Sequence, residues 1–472
     1  MPSWKKENRN LKANKVSLDW SEVNMSYLQE YRSKLRSAAE AVKVVKSGDT
    51  VHYGEFAMAS HVLDEALAQR KDELYDVVIR TVSNLFPPKT VLSDPEKEHF
   101  ILHESFMSGA TRKLHDQDMG YHLPITYHEC GSYYGLGTIP VDVALLKVAP
   151  MDKHGYFNLG VSNSVTPNVL AVAKKVIVEV NTSIPRCLGG VKEAVHISKV
   201  DFIVEGDNKP LIEIPPARVS EADKAIAALI MEKIEDGACL QLGIGGMPNT
   251  IGKLIAESDL KDIGIHTEML VESMVDMYEA GKITGARKTL DQGKIVYTFA
   301  MGTQRLYDFM DDNPACASFP ADYTNNPYII AQNDKVVSIN NSLEIDLYGQ
   351  ICSESSGIRQ ISGTGGQLDF HFGAYKSKGG KGFICLSSTT TNKNGELISR
   401  IKPILTPGGI ATVPRSLISY VVTEYGITKI LKGLSTWERA EELIKVAHPD
   451  FRDELIKEAQ KNKIWRRSNK IV

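Results

Sequence analysis

Residues 237–268 read GACLQLGIGGMPNTIGKLIAESDLKDIGIHTE. Cys239 to Leu242 is a short apolar run, the pattern of a buried strand. Gly243, Gly245 and Gly246 follow at once, with Ile244 and Met247 among them, so the backbone can turn sharply and leave N–H groups uncovered. Pro248 and Asn249 then open a helical segment, Thr250 to Ala256, with apolar residues on one face. A glycine turn between a strand and a helix N-terminus is a place to hold negative charge. A second strand, Ile263 to His266, ends in Thr267 and Glu268. The turn and Glu268 are therefore expected at the carboxyl edge of one sheet, where open α/β sheets bind ligands. On these residues alone a tight turn plus a solvated glutamate is an equally good reading, because a lone glycine turn is a weak signal.

The same plan occurs once more. SGDTVHYGEFAMASHVLDEAL, from Ser47, runs parallel to EDGACLQLGIGGMPNTIGKLI, from Glu235, with Gly48 against Gly237 and Gly54 against Gly243. Further on, Asp76 to Val82 (DVVIRTV) parallels Asp262 to Glu268 (DIGIHTE). The repeat is far longer than a solenoid unit, so it implies two related domains. The expected division is 1–217 and 218–472, with Asp207 to Pro210 and Ile214 to Ala217 as extended linker. The first copy has Val82 where the second has Glu268, which assigns the chemistry to the second half.

Outside these stretches, strands and helices alternate. A helix is expected over Tyr27 to Val45, and a long amphipathic one over Val219 to Glu235, begun by Ser220 and Asp223 in near capping-box spacing. Val141 to Val148, Lys175 to Val180, Ile339 to Gly349, Phe383 to Leu386 and Tyr420 to Thr423 have strand patterns. A second glycine loop spans Ser362 to Phe370. The fold class is thus α/β, with mainly parallel sheets covered by helices on both faces.

Composition excludes several functions. A formal net charge of −3 in 472 residues gives no reason to expect nucleic acid or an anionic membrane surface. No apolar run reaches the length of a membrane span. The N-terminal MPSWKKENRNLKANK is basic but lacks an apolar core, so it is no secretory signal. The six cysteines are far apart and form no C-x-x-C pair, which suits reduced core residues in a cytoplasmic protein. His52, His122, His128 and His154 show no metal-ligand spacing and read as structural, so no metal is expected. A G-x-S-x-G elbow is lacking, which argues against a serine hydrolase.

Glu268 at a strand end, facing two glycine loops, suits covalent catalysis. A carboxylate needs no base to act as a nucleophile, and it can attack a thioester to form a mixed anhydride. Glycine-rich turns supply N–H donors for the oxyanion. Lys376 to Lys381 could meet a phosphorylated cofactor, although a solvated lysine-rich turn is the better reading of that run alone.

GIGGMP, the HTEM containing Glu268, NNSLEIDLYGQ, SGTGGQLDF and AHPDFRDEL, in that order, resemble the acetyl-CoA hydrolase/transferase family of CoA-transferases. The resemblance runs from about residue 40 to the C-terminus. It implies two similar α/β domains of the family I CoA-transferase type. It also implies short-chain acyl-CoA and carboxylate substrates, no cofactor beyond coenzyme A as a substrate, and a homo-oligomer. GGQLDFHFGAYKSKGGKGFIC is most similar to the butyryl-CoA:acetate branch. 4-Hydroxybutyrate CoA transfer and acyl-CoA hydrolysis are the alternatives, with a non-catalytic ligand sensor as a different class. Carried over by motif, Glu268 is the glutamate that forms the glutamyl-CoA thioester. Gly243, Ile244, Gly245, Gly246 and Met247 are the CoA-binding stretch. The N–H groups of Met247 and Gly366 are the oxyanion donors. Asn326, before a proline, is the asparagine beside the carboxylate, and Leu343 and Lys381 fall near positions that meet CoA.

Overall fold

A computed structural model describes residues 24–215, 217–243 and 245–466. The basic N-terminal stretch and Ile244 lie outside the described residues.

The alternating pattern produces two large sheets. The first comprises β1 (Thr50–Tyr53), β2 (Val77–Thr81), β3 (Phe100–Glu104), β4 (Gly120–His122), β5 (Val143–Val148), β6 (Lys175–Val180) and β7 (Phe202–Glu205), in the order β4-β3-β2-β1-β5-β6-β7. All its pairings are parallel. The second comprises β8 (Cys239–Leu242), β9 (Gly264–His266), β10 (Ile295–Tyr297), β11 (Cys316–Ser318), β12 (Val336–Asn341), β13 (Lys381–Cys385), β14 (Tyr420–Thr423) and β15 (Gly426–Ile427). Its order is β11-β10-β9-β8-β12-β13-β14-β15, parallel except for the last pair. Apart from that added edge strand, the two sheets share one strand order. Central strands such as β5, VALLKV, are buried along their whole length, as sheets covered on both faces require.

The sequence repeat is carried by backbone geometry. Gly48 and Gly237 enter β1 and β8 in the left-handed conformation, at φ 81° and 73°. Asp76 and Asp262 precede β2 and β9 in the same conformation, at φ 54° and 56°. Aspartate is among the few residues with a side chain that tolerate this region, so the matched Gly and Asp positions mark matched turns.

The largest apolar cluster runs without a break from Tyr31, Phe157 and Val178 in the first half to Leu240, Ile265 and Phe383 in the second. Two further clusters back the sheets. One holds Val51, Phe100 and Ile177; the other holds Ile384, Val421 and Leu443 beneath the C-terminal helices.

Two expected elements are divided. The helix expected over Tyr27 to Val45 ends at Lys34, and Ser37 starts a new turn with Glu40 as a reciprocal capping box. The strand expected over Ile339 to Gly349 splits at Ser342. Its hydroxyl donates to the carbonyls of Glu344 (3.1 Å) and Cys352 (2.9 Å), which turns Glu344–Asp346 into a separate small sheet. The expected helix after the linker is present as Glu221–Met231, with Ser220 and Asp223 forming the capping box.

Candidate active site

Both sheets direct their carboxyl ends toward one cavity of about 440 Å³. From the second half, β8 delivers Leu242 and Gly243, and its neighbour β12 delivers Asn340 and Asn341. β8 and β12 are the strands at which the order reverses, the position where an open sheet leaves a crevice. Glu268 enters from the end of β9, and the loop Ile361 to Gln367 covers another side. From the first half come Phe56 after β1, Val82 after β2, Phe106 after β3, and Tyr127. Val82 and Glu268, matched in the repeat, therefore face the same space from opposite halves.

Glu268 is fixed along its whole length. Its carbonyl accepts from the N–H groups of Thr298 (3.0 Å) and Phe299 (3.3 Å). Oε2 accepts from Asn325 Nδ2 at 2.5 Å, and the Gly366 backbone lies against the carboxylate, where its N–H helps lower the pKa. Gly366 is the N-cap of helix Gln367–Lys376, whose amino end favours negative charge. A Cβ at Gly366 would fall on Glu268 Oε2 and Asn325 Nδ2, so only glycine lets this backbone approach the carboxylate. Glu268 fronts the cavity and is enclosed elsewhere. Burial is the main cause that raises its pKa to about 7, the charge of Asp369 adds to the rise, and the Asn325 and Gly366 hydrogen bonds oppose it. A carboxylate with a raised pKa is a stronger nucleophile than an ordinary one, and near neutral pH a large share of it stays ionised.

Beside this polar end the wall is apolar: Phe56, Val82, Met269, Phe299 and Met301. Phe56 and Phe299 stack with centroids 3.7 Å apart and an interplanar angle of 12°. Phe56 holds this position with φ at 53°, a conformation that costs a bulky residue about 1–3 kcal/mol. Its place in the repeat is that of Gly245, whose φ is also positive at 121°.

The residues expected from sequence fall into three groups. Glu268, Gly243 and Gly366 line the cavity. Gly245 and Gly246 begin helix Gly246–Glu257, with the side chain of Met247 buried in the core and its N–H in the first turn, where no intrahelical acceptor exists. Leu343 is half-buried just beyond Asn341; its N–H is bound to the Cys352 carbonyl (3.0 Å), and it is not part of the lining.

Two expectations are corrected. Asn326 does not reach Glu268: its side chain accepts from the Tyr328 N–H (3.0 Å) and caps the short helix Pro327–Ile330. The adjacent Asn325 takes the role instead. An asparagine directly before an N1 proline is a cap signal, and that signal was legible. Lys381 is also misplaced. It begins β13, at the amino edge of the parallel sheet, and its Nζ is held by Glu235 (2.5 Å) and the Lys233 carbonyl (2.9 Å). The cavity lies at the other end of the sheet, roughly 13 Å away along the strand. Glu272 and Glu344, the other glutamates in the motifs, are engaged by Thr303 and Thr406 and do not line the cavity.

Besides Asn325 and the apolar wall, sequence reasoning missed two histidines that support the site. His266, on β9, is buried and bonds the Thr324 carbonyl at 2.8 Å, which anchors the loop that presents Asn325. Burial and nearby Lys288 lower its pKa to about 3, so it is neutral. His128, expected to be merely structural, bonds Asp369 (2.7 Å) behind the carboxylate. No cluster able to hold a metal ion occurs among the described residues, and no helix among them is long and apolar enough to cross a membrane.

Known proteins match this arrangement over nearly the full chain. Residues 21–215 match the acetyl-CoA hydrolase/transferase N-terminal domain, and residues 302–459 match the C-terminal domain of the same family. Butyryl-CoA:acetate CoA-transferase of Anaerostipes caccae is 53% identical over 94% of this chain and 100% of its own. A probable butyrate:acetyl-CoA coenzyme A-transferase of Syntrophomonas wolfei is 54% identical over 94% of this chain and 99% of its own. The crystal structure of RipA from Yersinia pestis superposes with a TM-score of 0.84 at 39% identity, covering 93% of this chain and 100% of that one. With both halves of one sheet plan, a glutamate on the second and these relatives, the chain belongs to the acetyl-CoA hydrolase/transferase family and is an enzyme of the CoA-transferase class.

Proposed function

We propose that the protein transfers coenzyme A between short-chain carboxylic acids, with butyryl-CoA and acetate as its preferred pair, through a covalent intermediate on Glu268. One observation carries the reading. A carboxylate with a pKa near 7, held by Asn325 and lying against the Gly366 backbone, opens on a cavity whose adjoining wall is apolar. The names of the two bacterial relatives at 53% and 54% identity point the same way.

The Glu268 oxygen attacks the thioester carbonyl carbon. The C–S bond breaks and CoA thiolate leaves, giving an acyl-glutamyl anhydride. The thiolate then attacks the glutamyl carbonyl, and the first acid departs as its carboxylate. A second carboxylate attacks the resulting glutamyl-CoA thioester. The reverse steps form the new acyl-CoA and restore Glu268. The Gly366 N–H, with the Met247 N–H as the second candidate, serves the oxyanion of each tetrahedral state. The apolar wall of Phe56, Phe299 and Val82 receives the acyl chain, and the binding energy of the long CoA tail orients the reacting carbonyl. Carboxylates and a thiolate carry every step, so coenzyme A enters as a substrate and the chemistry calls for no further cofactor. Six buried, unbridged cysteines suit a reducing, cytoplasmic setting.

Incubation with butyryl-CoA followed by borohydride should reduce the Glu268 thioester to an alcohol, abolish activity and mark the peptide holding His266 to Glu268. A coupled assay with and without acetate separates transfer from hydrolysis. Equal release of free CoA in both would refute the transferase reading.

A further inference from the structure

Behind Glu268 lies a second carboxylate that the reaction above does not use. Asp369 sits in the first turn of helix Gln367–Lys376 and is 1% exposed. Its Oδ1 meets His128 Nδ1 at 2.7 Å, and its Oδ2 accepts from the His128 backbone N–H at 3.1 Å. The side-chain amide of Asn325 lies close enough to help lower the Asp369 pKa. That amide nitrogen is the one that donates to Glu268 Oε2 at 2.5 Å. Asn325 Oδ1 is buried and has no donor. The amide is therefore oriented by its bond to Glu268 with Asp369 beside it, and turning it over would set its oxygen against a carboxylate.

We propose that His128 and Asp369 are a positioning pair for the transfer reaction: His128, from the first half, locks the Asp369 carboxylate of the second, and Asp369 locks the Asn325 amide against Glu268. The proposal rests on reading Glu268 as the nucleophile. It makes the aim of the nucleophile depend on how the two halves seat, because 241 residues separate His128 from Asp369.

Charge supports the arrangement. Burial pushes the Asp369 carboxyl up, and its two His128 donors, the charge of His128 and the nearby Asn325 amide oppose that. Both oxygens face donors, so neither has an acceptor to which a proton could be given, and the carboxylate form fits the geometry. Burial works against a charged His128, but the hydrogen bonds and charges of Asp369 and Glu129 outweigh it and raise its pKa. The ionisable groups facing the network are few. His128 meets Asp369 and Glu129, Asp369 meets His128 and Glu268, and Glu268 is sensed by the buried Tyr127 hydroxyl, which also feels Glu55.

The test uses the full-length enzyme, with kcat/KM followed from pH 5 to pH 9 and the borohydride adduct mapped in parallel. His128→Ala should lower kcat by about tenfold to a hundredfold, the range expected when a reacting group is mis-aimed by a fraction of an ångström to 1 Å. His128→Asn, whose amide nitrogen can replace Nδ1, should restore most of the rate. Asp369→Asn should lower the rate and also move the acid limb of the profile to lower pH, because it removes the negative charge beside Glu268. A purely structural role would lower the rate without moving that limb. An unlabelled Glu268 in the wild-type enzyme would overturn the nucleophile reading. A labelled Glu268, with His128→Ala matching the wild type or with His128→Asn as slow as His128→Ala, would overturn the positioning pair alone. If Asp369→Asn fails to fold, the two His128 variants, at a side chain 18% exposed, decide the matter.

Discussion

Glu268→Gln should make this protein more stable, and increasingly so as pH rises. Burial and the charge of Asp369 raise the Glu268 pKa from 4.5 to about 7. The folded-state value lies above the unfolded one, so the protonated carboxyl is the form that the fold favours. That contribution is fully present below about pH 4.5 and is lost as pH rises through 7. The rise corresponds to about 3 kcal/mol of cost for keeping Glu268 ionised above pH 8. Glutamine removes the charge at nearly the same size. Its oxygen can still accept from Asn325, but its amide then faces the Gly366 N–H, a lost hydrogen bond that costs about 1 kcal/mol. The net gain should be about 2 kcal/mol at pH 8.5 and close to zero or slightly negative at pH 5, by the difference of those two terms. Thermal or urea unfolding of both proteins at the two pH values reads it directly. CoA transfer should fall by several orders of magnitude, on the scale of losing a covalent nucleophile. A stability difference that is the same at pH 5 and pH 8.5 would refute the reasoning, because it would mean that the ionised carboxylate is not held at a cost.

The two asparagines should separate cleanly. Asn325→Ala should lower kcat by about a hundredfold with little change in melting temperature, while Asn326→Ala should cost about 1 kcal/mol of stability through its lost cap and leave the rate near normal. Steady-state kinetics beside thermal melts check this, and the opposite pattern would restore Asn326 to the site. Lys381→Ala should leave KM for acyl-CoA unchanged and cost less than about 1 kcal/mol, since its partner Glu235 is largely exposed. A large rise in KM would return Lys381 to the cofactor path. Phe299→Ala removes the ring on which Phe56 stacks. It should destabilise by about 3–5 kcal/mol and shift the rate profile toward longer acyl-CoA donors; an unchanged profile in a panel of C2 to C8 donors would place the acyl chain elsewhere.

The fold was legible because its turns are written in special residues. Gly48 with Gly237, and Asp76 with Asp262, occupy left-handed positions that few other residues accept, so the repeat survives in sequence where the packing residues have changed. Glu268 was legible for a related reason: a short strand must end where its apolar run ends, and in a parallel sheet that end fixes the edge. What failed was anything needing a third dimension. Asn325 and Asn326 are adjacent in sequence yet serve different structures. Lys381 belongs to a basic turn, but charge says nothing about the edge of the sheet on which a turn lies. His128 reads as one of several scattered histidines until the fold sets it against Asp369. The apolar wall draws on Phe56, Val82, Met269 and Phe299, and none of these carries a local sign of sharing one cavity.

The opposition of Val82 and Glu268 across a single space has a wider meaning. Two identical halves meeting there would present either two facing carboxylates or two apolar side chains. With two carboxylates, each would resist ionisation of the other, and their combined charge would repel the incoming acid. With two apolar side chains there would be nothing to form a bond. Joining both halves in one chain lets the copies differ at this one position, so that, on the proposed mechanism, one supplies the reacting oxygen and the other a dry surface beside it. This division of labour is closed to any assembly built from a single repeated half. It gives a simple account of why two sheets of one strand order stand around a single carboxylate.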